Sequence, residues 1–300
     1  MAEPIRGIFV PNVVPLDEAG RIDEDELCRS VDWLIEHGVH GLYPNGSTSE
    51  FTRFTPEERR RINELVCRQA AGRATVLAGG AEANVRETLA ACEACAGFGA
   101  RAVAIVAPFY YRLGQEAIYA YFREIAEQTP IDITLYNIPI FASPIEIDTI
   151  RRLAQFDRIV AIKDSSGDIA AMSRMIAAVR PEREDFVFLS GWEPGLLPSM
   201  LLGAVGGTHA SANVVPELVR RVYDLAATGD FQAALPAHFA LVEFFDTLLA
   251  VGEFPHGFRV AAELRGLRIG PSRQPQGTAI GPQERERLSQ AIDRALTAIS

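Results

Sequence analysis

The chain has 300 residues, 48% of them hydrophobic, and a formal charge of −10 at neutral pH. That length suits one large domain or two small ones with a substantial core, and the acidic balance argues against nucleic acid or an anionic membrane as a partner. Residues 1–6 run into a strand-like segment without a signal-peptide pattern, and no apolar run is long enough to cross a bilayer, so the expected compartment is the cytoplasm.

Apolar, β-rich runs alternate with longer helical patterns about eight times along the chain. The expected strands cover 7–14, 41–44, 75–79, 102–107, 133–137, 159–163, 186–190 and 205–209. Between them lie segments such as DEDELCRSVDWLIEHG and QEAIYAYFREIAEQ, apolar on one helical face and charged on the other. Thr55-Pro-Glu-Glu reads as a helix start, with a capping hydroxyl, proline in the first turn and acids behind it. Several strands are apolar on both faces, as buried parallel strands are. Eight such units close a (β/α)8 TIM barrel, expected over residues 1–225. The helical patterns after residue 215 exceed the eighth helix. They imply a C-terminal helical extension over 226–300, packed on the barrel and interrupted by a Pro- and Gly-rich loop at 269–283.

Cys92 and Cys95 form a CxxC inside an alanine-rich helical pattern. With no second CxxC and no nearby histidine to complete a ligand set, they read as packing residues.

Lys163 closes the sixth strand. It is the only lysine of the chain; every other one of the 29 basic residues is arginine. A surface ion pair would be served as well by arginine, whereas a primary amine can lose its proton and attack a carbonyl. Active sites of this fold lie at the C-terminal ends of the strands. Period-two alternation points Ile159, Ala161 and Lys163 into the barrel and Asp164 toward the helices. Burial among small, apolar neighbours favours the neutral amine. Tyr136 ends the adjacent strand on the inward face, within reach of Lys163, where a phenol can shuttle protons. After the second strand, Gly46-Ser-Thr-Ser49 forms either a plain turn or a run of backbone N–H groups able to cradle a carboxylate.

With GSTSE after the second strand, APFYY after the fourth, YNIP at the fifth, IKDSSGD at the sixth and LLGAVGGTHASANVVPE around the eighth, nearly the whole chain resembles the dihydrodipicolinate synthase / N-acetylneuraminate lyase family of Schiff-base-forming class I lyases and synthases. The resemblance implies that Lys163 condenses with the ketone of pyruvate or another 2-keto acid and that Tyr136 shuttles protons. It implies that Gly46, Ser47 and Thr48 hold the keto-acid carboxylate, the hydroxyls of Ser47 or Thr48 also serving the relay. Tyr110 of PFYY matches a tyrosine donated from a neighbouring subunit, which implies a homotetramer built as a pair of dimers. No metal or organic cofactor is implied, and the partners are small molecules.

Phe141, Gly191, Glu193 and Thr208 are the further substrate-binding candidates. Three positions depart from the family pattern. Ser49 stands where a second glycine is usual, and a serine at positive φ costs about 1 kcal/mol or more. Phe141 stands where synthases making dihydrodipicolinate carry an arginine, and a phenyl ring cannot pair with a carboxylate. Gly191-Trp192-Glu193 keeps one acid where sialic acid lyases have two. His209 reads as a hydrogen-bonded neutral histidine, with substrate binding or tuning of protonation as the alternative. The expected activity is a pyruvate-dependent class I aldolase or lyase acting on a 2-keto-3-deoxy sugar acid. Dihydrodipicolinate synthase or N-acetylneuraminate lyase proper, a 2-keto-3-deoxy acid dehydratase and a non-catalytic keto-acid-binding barrel stay open.

Overall fold

The computed structural model describes residues 4–275 and 279–299; residues 1–3 and positions 276–278 of the Pro- and Gly-rich loop lie outside the described residues. Eight parallel strands close a barrel in chain order: β1 (Gly7–Val10), β2 (Gly41–Leu42), β3 (Thr75–Gly79), β4 (Ala102–Val106), β5 (Ile133–Asn137), β6 (Ile159–Asp164), β7 (Val187–Ser190) and β8 (Gly206–Thr208). The helices α1 (Glu24–Glu36), α2 (Pro56–Ala70), α3 (Val85–Phe98), α4 (Gln115–Gln128), α5 (Ile147–Leu153), α6 (Ile169–Val179), α7 (Leu196–Leu202) and α8 (Pro216–Ala227) follow the strands in turn. Then come α9 (Phe231–Leu249), α10 (His256–Leu264) and α11 (Pro282–Thr297), with α9 packed on both α8 and α11. This is the expected (β/α)8 barrel with C-terminal helices.

Strands β3, β4 and β5 are buried at every position, as a sheet covered by helices requires. The first strand is shorter than expected and stops at Val10. Pro11 has no N–H to give the ladder, and the chain runs on buried, tied instead by the Val13 N–H to Asn213 Oδ1 at 3.1 Å. The second strand stops at Leu42, two residues before Pro44, for the same reason. Helix α2 starts as its sequence indicates. The Thr55 hydroxyl accepts from the Glu58 N–H at 3.3 Å, and the Glu58 carboxylate accepts from the Thr55 N–H at 2.9 Å, a reciprocal capping box.

Helix α10 has no counterpart among the helical patterns read from the sequence. It is nine residues long with Gly257 in its first turn, and residues 257–262 are all buried, the charged Arg259 among them. Tertiary packing makes this helix: a β-carbon on Gly257 would lie 2.9 Å from the Val251 carbonyl. Cys92 and Cys95 of α3 are buried against the barrel, their thiols pushed up to about 11 and about 12 by loss of solvent.

Burial lowers the pKa of His40, His238 and His256 from the ordinary 6.5. The unfolded chain therefore binds protons that the folded chain refuses. The stability these groups contribute is present above pH 6.5 and is lost as pH falls below it. We expect His238→Phe to flatten this acid-side decline, read from urea unfolding midpoints across a pH series; an unchanged slope would contradict the assignment.

Candidate active site

The β5–β6 register pairs Tyr136 with Lys163 and Asn137 with Asp164, so residues at equal height face the same way. Lys163 points into the barrel and is 4% exposed. Its Nζ lies 4.0 Å from the centroid of the Tyr136 ring and 4.7 Å from that of Tyr43. Asp164 faces the helices, as alternation indicates. Its carboxylate accepts from Asn137 Nδ2 at 2.6 Å and from the Ser166 hydroxyl at 2.7 Å, and burial raises its pKa. The neighbouring carboxylate is therefore engaged elsewhere, and the amine rests against aromatic faces.

Gly191, expected to bind substrate, lines the cavity and also makes room for the lysine. A β-carbon there would lie 2.8 Å from Lys163 Cε and overlap the Ser165 hydroxyl. Its N–H donates to the Asp164 carbonyl at 2.7 Å, and its carbonyl accepts from Ser165 Oγ at 3.0 Å. Glycine at this position makes room for the lysine.

The Tyr136 hydroxyl lies 3.3 Å from Ser47 Oγ. Tyr43 was not among the residues singled out from the sequence. Its ring meets that of Tyr136 edge-on, with centroids 6.0 Å apart. Burial, and then the proximity of Tyr136, push its phenol well above the ordinary range, so it stays protonated. The available signal was the alternation after the second strand, since Gly41 and Tyr43 share the inward face.

The loop after β2 is built to hold Ser47 and Thr48. At its start, Asn45 takes φ 57°, and its Nδ2 donates to the Arg59 carbonyl at 2.7 Å and to Asn63 Oδ1 at 2.8 Å. Gly79 lets this turn sit on β3, because a β-carbon there would lie 2.8 Å from the Pro44 carbonyl. Ser49 is not the strained position expected from the sequence: positive φ falls on Asn45 and Glu50 instead. Ser49 is buried, donates to the Asn12 carbonyl at 2.5 Å and accepts from the Gly46 N–H at 3.2 Å. The Gly46 amide is thus spent inside the loop rather than offered to a ligand. Among the described residues, the N–H groups of Ser47 and Thr48 and the Thr48 hydroxyl have no protein acceptor, which leaves three donors of the kind that can receive a carboxylate.

Glu50 closes the loop. Its carboxylate pairs with Arg53 and, at 3.0 Å, with Arg259 of α10. Arg259 is 2% exposed and also donates to the carbonyls of Val14, Ile269, Gly270 and Pro271 at 2.8–3.2 Å. Sequence reading missed this residue together with its helix.

Around Lys163, a cavity of ≈ 140 Å³ is lined by Thr48, Tyr136, Ser165, Gly191, Glu193 and Thr208. The rest of its lining is apolar and includes Ile138, Ile140, Phe141, Trp192, Phe245, Leu249 and Phe254. Glu193 lies at the rim, but its Oε1 accepts from both the Ser211 N–H at 2.9 Å and the Ser211 hydroxyl at 3.0 Å. That oxygen holds the turn after β8, and among the described residues Oε2 makes no hydrogen bond. His209 is not the hydrogen-bonded histidine expected. It is fully buried with neither ring nitrogen partnered, and Glu193 Oε2 stands 4.0 Å from its Nδ1. Tyr110 is 91% exposed at φ 79°, stacked edge-on with Tyr111, and lies outside the cavity of its own chain.

Breaking a buried ion pair on one side costs about 3–5 kcal/mol because the other charge is stranded. We expect Arg259→Met and Glu50→Gln each to destabilise the fold by that order in denaturant unfolding. The double variant should lose clearly less than the sum; additive losses would show that the two are uncoupled.

Residues 4–295 match the model of the dihydrodipicolinate synthetase family. An uncharacterized DapA-like lyase of Pyrococcus horikoshii is 31% identical over 96% of this chain and 100% of its own. A 4-hydroxy-tetrahydrodipicolinate synthase of Methanopyrus kandleri is 33% identical over 92% of this chain and 91% of its own. The crystal structure of dihydrodipicolinate synthase from Acinetobacter baumannii complexed with pyruvate superposes with a TM-score of 0.91 at 29% identity, covering 97% of this chain and 99% of that one.

Proposed function

The chain belongs to the dihydrodipicolinate synthetase family, a family of lyases, and on that premise we propose that it is a class I lyase that forms a Schiff base between Lys163 and pyruvate or another 2-keto acid. The observation that carries this reading is the side-by-side pairing of Lys163 with Tyr136, the amine held against aromatic rings and the phenol bonded to Ser47. The pyruvate bound by the Acinetobacter baumannii enzyme supports the choice of keto acid.

The keto-acid carboxylate is received by the N–H groups of Ser47 and Thr48 and by the Thr48 hydroxyl. The neutral amine of Lys163 attacks the keto carbon, water leaves, and the iminium becomes the electron sink. In the cleavage direction, Tyr136 takes the proton from the substrate hydroxyl as the carbon–carbon bond breaks. The bonding pair moves into the iminium to give an enamine, and an aldehyde departs. Protonation of the enamine and hydrolysis return pyruvate and the free amine. Ser47 passes the Tyr136 proton outward. On this reading the exposed Tyr110 enters a neighbour's site, and the working unit is a homotetramer of paired dimers. The reaction requires no metal or organic cofactor, since the lysine supplies the electrophile.

Incubation with pyruvate followed by borohydride is expected to fix one reduced adduct on Lys163, read by intact mass and peptide mapping; absence of that adduct with any 2-keto acid sinks the mechanism. Lys163→Arg is expected to abolish turnover. Tyr136→Phe should lower kcat by about 10²–10⁴-fold, the ordinary worth of a positioned proton donor, while adduct formation is slowed rather than lost. Thr48→Val should raise KM for pyruvate more than it lowers kcat.

A further inference from the structure

The half of the cavity away from the carboxylate cradle decides which aldehyde the enamine meets. Its walls are Ile138, Phe141, Trp192, Phe245, Leu249 and Phe254. Trp192 and Phe245 stand edge to face with centroids 4.9 Å apart, and Phe141 and Phe254 lean together at 6.1 Å. Among the described residues the charged groups lining this cavity are Lys163 and Glu193, and the Glu193 Oε1 is already taken by Ser211. A sugar chain would leave its hydroxyls unpartnered against hydrocarbon, and a carboxylated aldehyde would strand its charge. A flat apolar ring meets what these walls offer, since aromatic rings pack edge to face and offset on one another. The ≈ 140 Å³ around Lys163 must also hold the keto-acid unit, so the ring reaches past Phe141 and Phe254. Beyond Phe141 and Phe254 the space continues into a depression of ≈ 240 Å³ that adds Phe51 and Phe109.

Resting on the Schiff-base reading above, we infer that the second substrate is an aromatic aldehyde and not a hydroxylated or carboxylated one. The enamine carbon of pyruvate attacks the aldehyde carbon, and the aldehyde oxygen takes the proton held by Tyr136. Hydrolysis of the iminium by water then frees Lys163 and a 4-aryl-4-hydroxy-2-oxobutanoate. The sequence is redox-neutral, and its reverse releases the aromatic aldehyde. The competing class is a carboxylated aldehyde long enough to reach Arg53, which lines the outer depression but is already paired with Glu50.

The test begins with the borohydride adduct on Lys163, which addresses the Schiff-base reading alone. With that adduct established, the intact protein is given pyruvate and, in turn, benzaldehyde, 2-naphthaldehyde, glyceraldehyde, glyoxylate and succinic semialdehyde, and the condensation product is measured by mass spectrometry. The expected result is a kcat/KM for the aromatic aldehydes at least tenfold above the others. Trp192→Ala should cut that value for benzaldehyde at least tenfold while KM for pyruvate holds; should that variant misfold, Phe141→Ser, at a position 53% exposed, gives the same readout. Preference for glyceraldehyde, glyoxylate or succinic semialdehyde overturns the inference, and so does an adduct-forming protein that condenses none of the aromatic aldehydes.

Discussion

The candidate site depends on one buried ion pair, Glu50 with Arg259. Two charges removed from water are costly, and their mutual attraction offsets that cost only with further hydrogen bonds around them. Both terminal nitrogens of Arg259 supply these, donating to the carbonyls of Val14, Ile269, Gly270 and Pro271 as well as to Glu50, while its Nε is buried without a partner among the described residues. Burial lowers its pKa, and Glu50 is the first of the opposing influences. A guanidinium suits the task because its five donors form a rigid fork. The pair binds together three parts of the chain: the segment after β1, the loop after β2 and the region following α10. The loop can then hold Asn45 and Glu50 at positive φ, a conformation that costs about 1–2 kcal/mol per residue and persists only when the surroundings impose it. The unspent N–H groups of Ser47 and Thr48 follow from that imposed shape.

The mouth of the barrel carries further costs. Asn12, Thr134 and His209 each bury polar atoms without partners, at about 1–3 kcal/mol for each such group. Thr134 lies one inward position below Tyr136 on β5, and His209 follows Thr208 at the end of β8. The residues that make the cavity reactive thus sit among others that the fold leaves unsatisfied. The apolar core, including the strand residues of β3–β6, offsets them. Local rules are commonly broken near functional sites, and Asn12, Thr134 and His209 are such breaks, alongside others on α8, α9 and α10.

Much of this was legible beforehand, for identifiable reasons. Strand and helix periods are short-range properties, so eight alternating units and the inward direction of Lys163 and Tyr136 could be read along the chain. The solitary lysine stood out because its composition has no packing explanation. Tyr43 was readable from the same alternation, but Pro44 follows it and ends the short strand that carries the signal. Helix α10 was harder to read: it is only nine residues long, has Gly257 in its first turn, and turns Arg259 into the interior. The reading of Ser49 as a strained position failed because a turn's positive-φ positions are set by its anchors, here Asn45 on α2 and Glu50 on Arg259, and not by the glycine pattern of similar loops. His209 was misread for a related reason, since only the tertiary structure shows that no hydrogen-bond partner among the described residues reaches its ring nitrogens.

By itself the sequence determined the barrel, the family, and the identity and inward direction of Lys163 and Tyr136, because those follow from the period of the strands and from residue types at single positions. Tertiary structure alone decided how the carboxylate loop is held, which amides remain free, and that the far wall is hydrocarbon from Ile138 to Phe254. These depend on contacts between residues as far apart as Glu50 and Arg259, or Trp192 and Phe245, and no local pattern along the chain encodes which distant side chains will meet.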